Sequence, residues 1–276
     1  MFIGKKEFDT TRNTYIMGIL NVTPDSFSDG GRYQDIDAAL RHAEEMVRDG
    51  ADILDVGGES TRPGHVQITD EEEIGRTAPV IERLKQEFDV PISIDTYKGS
   101  VAHAALQAGA DLVNDVWGLK YDSRMAKLIK DYGASCCLMH NRKKPVYEDL
   151  LADFMDDMRE CLRIAKEAQI ADDKIILDPG VGFGKTYEMN LAIIRHVGRM
   201  RELGYPILLG TSRKSVIGLT LDLPAGQREE GTIATTVYGM LNGCSFVRVH
   251  DVAANRRAIR MTEAILRQDD TVCVQR

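Results

Sequence analysis

The sequence predicts a single-domain α/β protein, a (β/α)8 TIM barrel with its active site at the C-terminal ends of the strands. Three observations predict this. Eight short runs rich in Val, Ile and Leu recur along the chain, and their near-continuous apolar character implies burial on both faces, as in a parallel sheet covered by helices. An amphipathic segment follows each run, and such alternation implies parallel strands joined by right-handed crossovers. Eight units in 276 residues fit a closed barrel better than an open sheet. The first run is followed by NVTPDSFSDGG, not by the G-x-G-x-x-G turn of a doubly wound dinucleotide fold.

The elements follow in order. YIMGILNVT (15–23) leads into DAALRHAEEMVRDG, which Gly50 stops. ADILDVGG (51–58) precedes a helix opened by Thr69 with Glu72 three places on, a capping-box pattern. The acidic run from Asp70 to Glu73 then meets the positive end of the helix dipole. PISIDT (91–96) precedes SVAHAALQAGA, and DLVNDV (111–116) precedes SRMAKLIKDYG. ASCCLMH (134–140) is followed by a helical run from Tyr147 to Ala168, and KIILDPG (174–180) by EMNLAIIRHVGRMRELG. PILLGTS (206–212) and SFVRVHDV (245–252) lead into REEGTIATTVYGMLNG and AANRRAIRMTEAILRQ. No linker interrupts the series. The expectation is one domain over 1–276, its core about 15–268, with a short extension at each end.

Composition excludes several classes. The net charge of −8, from 35 basic and 43 acidic residues, repels a phosphate backbone and argues against nucleic-acid binding. No run approaches the ~18 apolar residues of a membrane span. The N-terminal segment has no apolar signal region, so a cytoplasmic chain with reduced thiols is expected. Cys136 and Cys137 are adjacent in a strand run. Successive side chains point to opposite faces, so the two cannot jointly hold one metal.

Barrel chemistry is built where strands end. Strand one ends at Asn21 and strand two runs into Glu59-Ser60-Thr61-Arg62. The next four end at Asp95, Asn114 with Asp115, His140 and Asp178. The last two end at Ser212-Arg213-Lys214 and Arg248-Val249-His250-Asp251. Buried polar groups are costly unless paired, so such a rim calls for a ligand. Asp95, Asn114 and Asp178 suit a donor-rich heterocycle edge, which a carboxylate binds through two parallel hydrogen bonds. Arg62, Lys214, Arg248 and His250 suit phosphate or diphosphate. Asn21 is a neutral oxygen fit for a Mg²⁺ that keeps most of its waters and leans on substrate phosphates. Asp25 and Asp29 read as turn residues, and His140, Met17, Met139 and Trp117 as packing. These readings describe a phosphorylated small molecule with a polar heterocycle without naming it.

Eight segments carry a resemblance: GILNVTPDSFSDGG (18–31), DVGGESTRPG (55–64), ISIDTYK (92–98), LVNDV (112–116), LMH (138–140), LDPGVGFGKT (177–186), GTSRKSVIG (210–218) and RVHDV (248–252). With them the chain closely resembles the dihydropteroate synthase family, the folate-pathway enzymes that sulfonamides inhibit. The resemblance implies a Mg²⁺-dependent transferase. It joins (7,8-dihydropterin-6-yl)methyl diphosphate to 4-aminobenzoate, giving 7,8-dihydropteroate and diphosphate by an S_N1-like substitution. It places the pterin at Asp95, Asn114, Asp178, Lys214 and Arg248. It places the diphosphate at Asn21, Thr61, Arg62, Arg248 and His250, with Asn21 as metal ligand. The 4-aminobenzoate side is lined by Phe27, Thr61, Pro63, Phe183, Lys214 and Ser215. Asp95, Lys214, Arg248 and His250 form the catalytic set, loops 22–32 and 59–68 close over the substrates, and the enzyme is a homodimer through outer helices such as 228–243. Departures fall at His65, Val66 and the NRKKPVYEDL loop, and none breaks a motif. Two rivals are a pterin-dependent methyltransferase serving a corrinoid protein and a non-catalytic pterin-binding module. The first has no diphosphate, so Arg62, Arg248 and His250 weigh against it. Tight binding without turnover would mark the second.

Overall fold

The computed structural model describes residues 1–22, 32–60 and 66–268, with the side chains of all of these except 32–35. An antiparallel hairpin of β1 (Phe2–Ile3) and β2 (Lys6–Glu7) precedes eight parallel strands. These are β3 (Tyr15–Asn21), β4 (Ile53–Gly57), β5 (Ile92–Asp95), β6 (Leu112–Asp115), β7 (Ser135–Met139), β8 (Ile175–Asp178), β9 (Leu208–Leu209) and β10 (Phe246–Val249). Their spatial order is β8-β7-β6-β5-β4-β3-β10-β9. A parallel bridge between Leu177 and Ile207, with Leu177 N–H donating to Pro206 O at 2.9 Å, joins the two ends into a barrel. All eight strands coincide with the apolar runs of the sequence.

The surrounding helices are α1 (Arg32–Arg48), α2 (Asp70–Glu87), α3 (Gly99–Gln107), α4 (Met125–Tyr132), α5 (Leu150–Glu167), α6 (Tyr187–Arg195), α7 (Ser215–Leu221), α8 (Glu229–Leu241) and α9 (Val252–Leu266). Alternation along each strand divides its side chains between two apolar clusters. Ile16, Leu54, Ile94, Val113, Cys136 and Leu177 face the helices. Met17, Ile53, Leu112, Cys137, Ile176, Leu208 and Phe246 face the barrel interior and fill its floor. Cys136 and Cys137 thus point opposite ways, as the strand period requires. Above that floor the inward positions turn polar, and this is what makes one end of the barrel a site.

Four local differences from the sequence reading have physical causes. The N-terminal extension is part of the core: the hairpin lays Ile3 and Phe8 across the barrel floor, and Phe8 packs edge-on against Tyr15 at 4.8 Å. Burying side chains of this size contributes roughly 1.5–3 kcal/mol each, which holds the hairpin in place. Thr69 caps α2 by accepting Glu72 N–H at 3.2 Å, but the Glu72 carboxylate binds Arg76 one turn on. Only half of the predicted box forms, because an i,i+4 cation draws the Glu72 side chain away. The helix expected over 188–204 breaks at His196 into α6 and a 3-10 segment, Val197–Leu203. There Gly198 packs so closely that a Cβ would lie 3.3 Å from Asn242 O. Helix α7 is additional, a seven-residue piece between β9 and α8, ended by Asp222 in the left-handed region.

Candidate active site

The strand-end residues converge because the strands lie in register. Gly57 pairs with Asp95, Asp95 with Asn114, and Met139 with Asp178. The rim positions lie within contact distance of one another. A Cβ on Gly57 would lie 3.5 Å from Asn21 Oδ1 and 3.8 Å from Asp95 Oδ2, and one on Gly210 would lie 3.4 Å from Asp178 Oδ2 and 3.9 Å from Arg248 Cβ. Asn21, Asp95, Asp178 and Arg248 therefore share one end of the barrel.

Arg248 is the centre of the charge arrangement. Its Nε donates to Asp55 Oδ2 at 2.6 Å and its Nη2 to Asp95 Oδ2 at 2.7 Å. Asn114 Nδ2 donates to the same Asp55 oxygen at 3.2 Å. The other oxygens, Asp55 Oδ1 and Asp95 Oδ1, are buried with no partner among the described residues. One guanidinium thus holds two carboxylates and leaves two acceptor oxygens for a donor-bearing ligand. Burial pushes the Asp95 carboxyl up to about 7, with Arg248 pulling it down and Asp55 and Glu73 pushing it up. Burial also raises Asp178, against the pull of Lys214 and of the Gly180 N–H, which donates to Asp178 Oδ1 at 2.6 Å.

Two further groups follow β9 and β10. Lys214 donates to Val181 O and sits 4.6 Å from the Phe183 ring centroid. Burial brings its ammonium down to about 8, although Asp178 pulls it up. His250 shares a hydrogen bond with Ser212 through Nδ1 at 2.9 Å, and its backbone N–H donates to the same hydroxyl at 3.2 Å. Ser215 is exposed at the first turn of α7. Asn21 is exposed at the end of β3. Of the remaining expected residues, Phe27, Thr61, Arg62 and Pro63 lie outside the described residues.

Three groups were not singled out as site residues in the sequence. Asp55 lies inside β4, two residues before the strand end, and its signal is a carboxylate within an otherwise apolar run. Lys98, nearly buried, is held by Glu59 at 2.7 Å and Glu73 at 2.8 Å, and Tyr97 O–H donates to Glu59 at 2.6 Å. Glu59 also accepts Ile68 N–H at 2.9 Å, tying residue 68 to the end of β4. Lys185 donates to His140 Nδ1 at 2.8 Å, and His140 Nε2 meets Asp157 at 2.9 Å. His140 is therefore part of a polar chain and not only a packing residue.

This geometry has close relatives. The pterin binding enzyme family matches residues 17–250. A dihydropteroate synthase of Clostridium beijerinckii is 58% identical over 269 residues, which is 97% of this chain and 100% of that protein. The structure of a dihydropteroate synthase from Clostridium difficile, determined in the presence of pteroic acid, superposes with a TM-score of 0.92 at 54% identity, covering 95% of this chain and 100% of that one. That of the Yersinia pestis enzyme, in complex with a sulfonamide drug, gives 0.88 at 39% identity, covering 96% and 98%. The chain belongs to the pterin binding enzyme family, and within it to the dihydropteroate synthases.

Proposed function

We propose that the barrel mouth joins (7,8-dihydropterin-6-yl)methyl diphosphate to 4-aminobenzoate by an S_N1-like substitution at the pterin methylene. The observation that carries this reading is the Arg248 clamp on Asp55 and Asp95, set beside Asp178 and Lys214 within one buried rim. The pterin ring presents N–H donors, and Asp95 Oδ1 and Asp178 Oδ2 accept them. Breaking the carbon–oxygen bond leaves positive charge on the methylene and ring. The two carboxylates favour that charge where it develops. Arg248, His250 and, outside the described residues, Arg62 take the diphosphate as negative charge builds on it. The neutral aryl amine then attacks the methylene carbon, and the proton it sheds on forming the new C–N bond passes to the departing diphosphate or to solvent. Phe183, Lys214 and Ser215 orient it, and the closed site keeps water from the cation.

Mg²⁺ fits this chain as a substrate-borne ion. Asn21 offers one neutral oxygen, and the described residues contain no cluster of three or more His, Cys, Asp or Glu able to cage a metal. That donor set suits an ion held mainly by diphosphate oxygens and water. When bound, Mg²⁺ neutralises charge on the leaving diphosphate.

The test is an assay with both substrates. Dihydropteroate and diphosphate are expected in equal amounts, only when 4-aminobenzoate and the pterin diphosphate are both present. Turnover is expected to vanish with a chelator and return with added Mg²⁺. Diphosphate release that ignores 4-aminobenzoate would refute the reading.

The enzyme is proposed to work in the cytoplasm as a homodimer. Leu219 and Leu221 of α7 and Tyr238 and Leu241 of α8 are all exposed, apolar side chains on two neighbouring outer helices that suit burial against a second copy. Sedimentation equilibrium is expected to give twice the chain mass, and Leu241→Glu to halve it. A wild-type chain that sediments at its own mass overturns the dimer.

A further inference from the structure

We propose that Lys185, oriented by His140 and Asp157, is a positioning residue that fixes the 180–185 turn and through it the aminobenzoate side of the site. The inference rests on the reading of Phe183 and Lys214 given above.

The turn needs holding. Gly180, Gly182 and Gly184 have φ of +65°, +88° and +55°, a backbone that other residues rarely adopt. A Cβ on Gly180 would collide with the His140 carbonyl, and one on Gly184 with the Arg142 carbonyl, so the turn lies directly on residues 140–142. Such a glycine-rich segment loses much conformational entropy when ordered, and its own backbone supplies a single 3.2 Å bond, Phe183 N–H to Gly180 O. Side chains supply the rest: Asp178 accepts Gly180 N–H and Asn190 accepts Gly182 N–H, both at 2.6 Å, Tyr147 O–H donates to Gly184 O at 2.8 Å, and the side chain that ties two carbonyls of the turn to residue 140 is that of Lys185. Its Nζ donates to Gly180 O at 2.8 Å, to Phe183 O at 3.0 Å and to His140 Nδ1 at 2.8 Å. Three N–H bonds meet three acceptors.

The far end of the chain fixes the proton pattern. Asp157 accepts Arg142 Nε at 2.5 Å and lies 2.9 Å from His140 Nε2. A carboxylate only accepts, so Nε2 carries the imidazole proton and Nδ1 offers its lone pair to Lys185. Burial lowers His140 to about 4, which keeps the ring neutral in this role. Burial, with Lys214 beyond it, also draws Lys185 down to about 7. A neutral amine has only two N–H bonds, so the three acceptors favour the ammonium. The turn meets the substrate side at two points: the Val181 carbonyl accepts from Lys214, and the Phe183 ring lies beneath the same ammonium. All three Lys185 donors are spent on these protein acceptors, so the residue acts through this turn.

The experiment compares Lys185→Met with the wild type. Methionine keeps the reach and packing of the chain and removes every donor. KM for 4-aminobenzoate is expected to rise about tenfold or more, with kcat falling by less. The dissociation constant of 6-hydroxymethylpterin, measured by calorimetry, is expected to change severalfold less than the aminobenzoate KM, because Asp95 and Asn114 lie on other strands and only Asp178, at the end of β8, adjoins the turn. Lys185→Arg retains donors and is expected to recover part of the loss. A fall in kcat alone, with both KM values unchanged, would mean a merely structural role and overturn the proposal. If the methionine variant lacks a native circular dichroism spectrum, Lys185→Arg and Asp157→Asn replace it, and two unchanged aminobenzoate KM values again overturn the proposal. A wild-type chain that forms no dihydropteroate would defeat the functional reading instead, so the two failures are distinct.

Discussion

Arg248→Ala is expected to lower kcat/KM by about 10³-fold and to cost about 3–5 kcal/mol of stability. Both effects come from the same two bonds. Asp55 is fully buried and Asp95 nearly so, and each gives an oxygen to the one guanidinium. Without it, the two carboxyls share a low-dielectric throat in which, among the described residues, only Asn114 donates to one of them, and keeping both ionised is costly. The pH dependence separates this from simple loss of packing. Asp95 titrates at about 7 with Arg248 present, and Arg248 is the first group that pulls it down. Removing the arginine moves that titration up, so Asp95 holds a proton at neutral pH and no longer favours the pterin cation. The acid limb of kcat/KM is therefore expected near pH 7 in the wild type and higher in the variant.

The sign for stability follows from the same shift. An acid whose folded pKa lies above its unfolded value binds its proton more tightly when folded, so stability falls as pH rises through the folded pKa. The stability lost in Arg248→Ala should shrink as pH falls towards 5, and urea unfolding at pH 5 and pH 8 measures it. Arg248→Lys should recover little, because a compact ammonium cannot span two carboxylates as the planar fork does. Normal turnover in Arg248→Ala would remove the clamp from the mechanism.

The strands were legible because a doubly covered parallel strand reads as a near-continuous apolar run, and ILDVG, ISID and IILD do so apart from their few polar positions. The rim was legible because barrel chemistry collects at strand ends, so inspecting the last residue of each run found Asp95, Asn114, Asp178 and Arg248. That same rule hid Asp55, which stands inside its run and reaches the site by facing inward one layer below the rim. Its partner could not be inferred, since Arg248 is 193 residues away in the chain. The β1–β2 hairpin has two-residue strands and α7 has seven residues, both too short for a period of 2 or 3.6 to register. The role of Lys185 was illegible for a different reason. Its three acceptors are a ring nitrogen and two carbonyls, and carbonyl positions depend on the glycine turn rather than on any side-chain pattern.

Asp178→Asn should uncouple stability from recognition. Asp178 Oδ1 accepts the Gly180 N–H at 2.6 Å, and Oδ2 is the oxygen that crowds Gly210 beside Arg248. An asparagine satisfies Gly180 only by placing its carbonyl where Oδ1 was. Its NH₂ group then occupies the Oδ2 position, a donor facing the donor edge of the pterin. An unpaired buried donor costs about 1–3 kcal/mol, and the lost charge-assisted bond adds to it, so affinity for 6-hydroxymethylpterin should fall about 100-fold or more. Stability should move the other way. Burial raises the wild-type carboxyl, so ionising it at pH 8 works against folding, and the neutral amide escapes that cost. The variant is expected to unfold at a urea concentration equal to or above that of the wild type at pH 8, with the gap closing towards pH 4. Calorimetric titration beside the unfolding curves checks both halves. Retained pterin affinity would place the donor edge away from Asp178, and a variant weaker in both measurements would make this carboxylate a structural anchor instead of a recognition element.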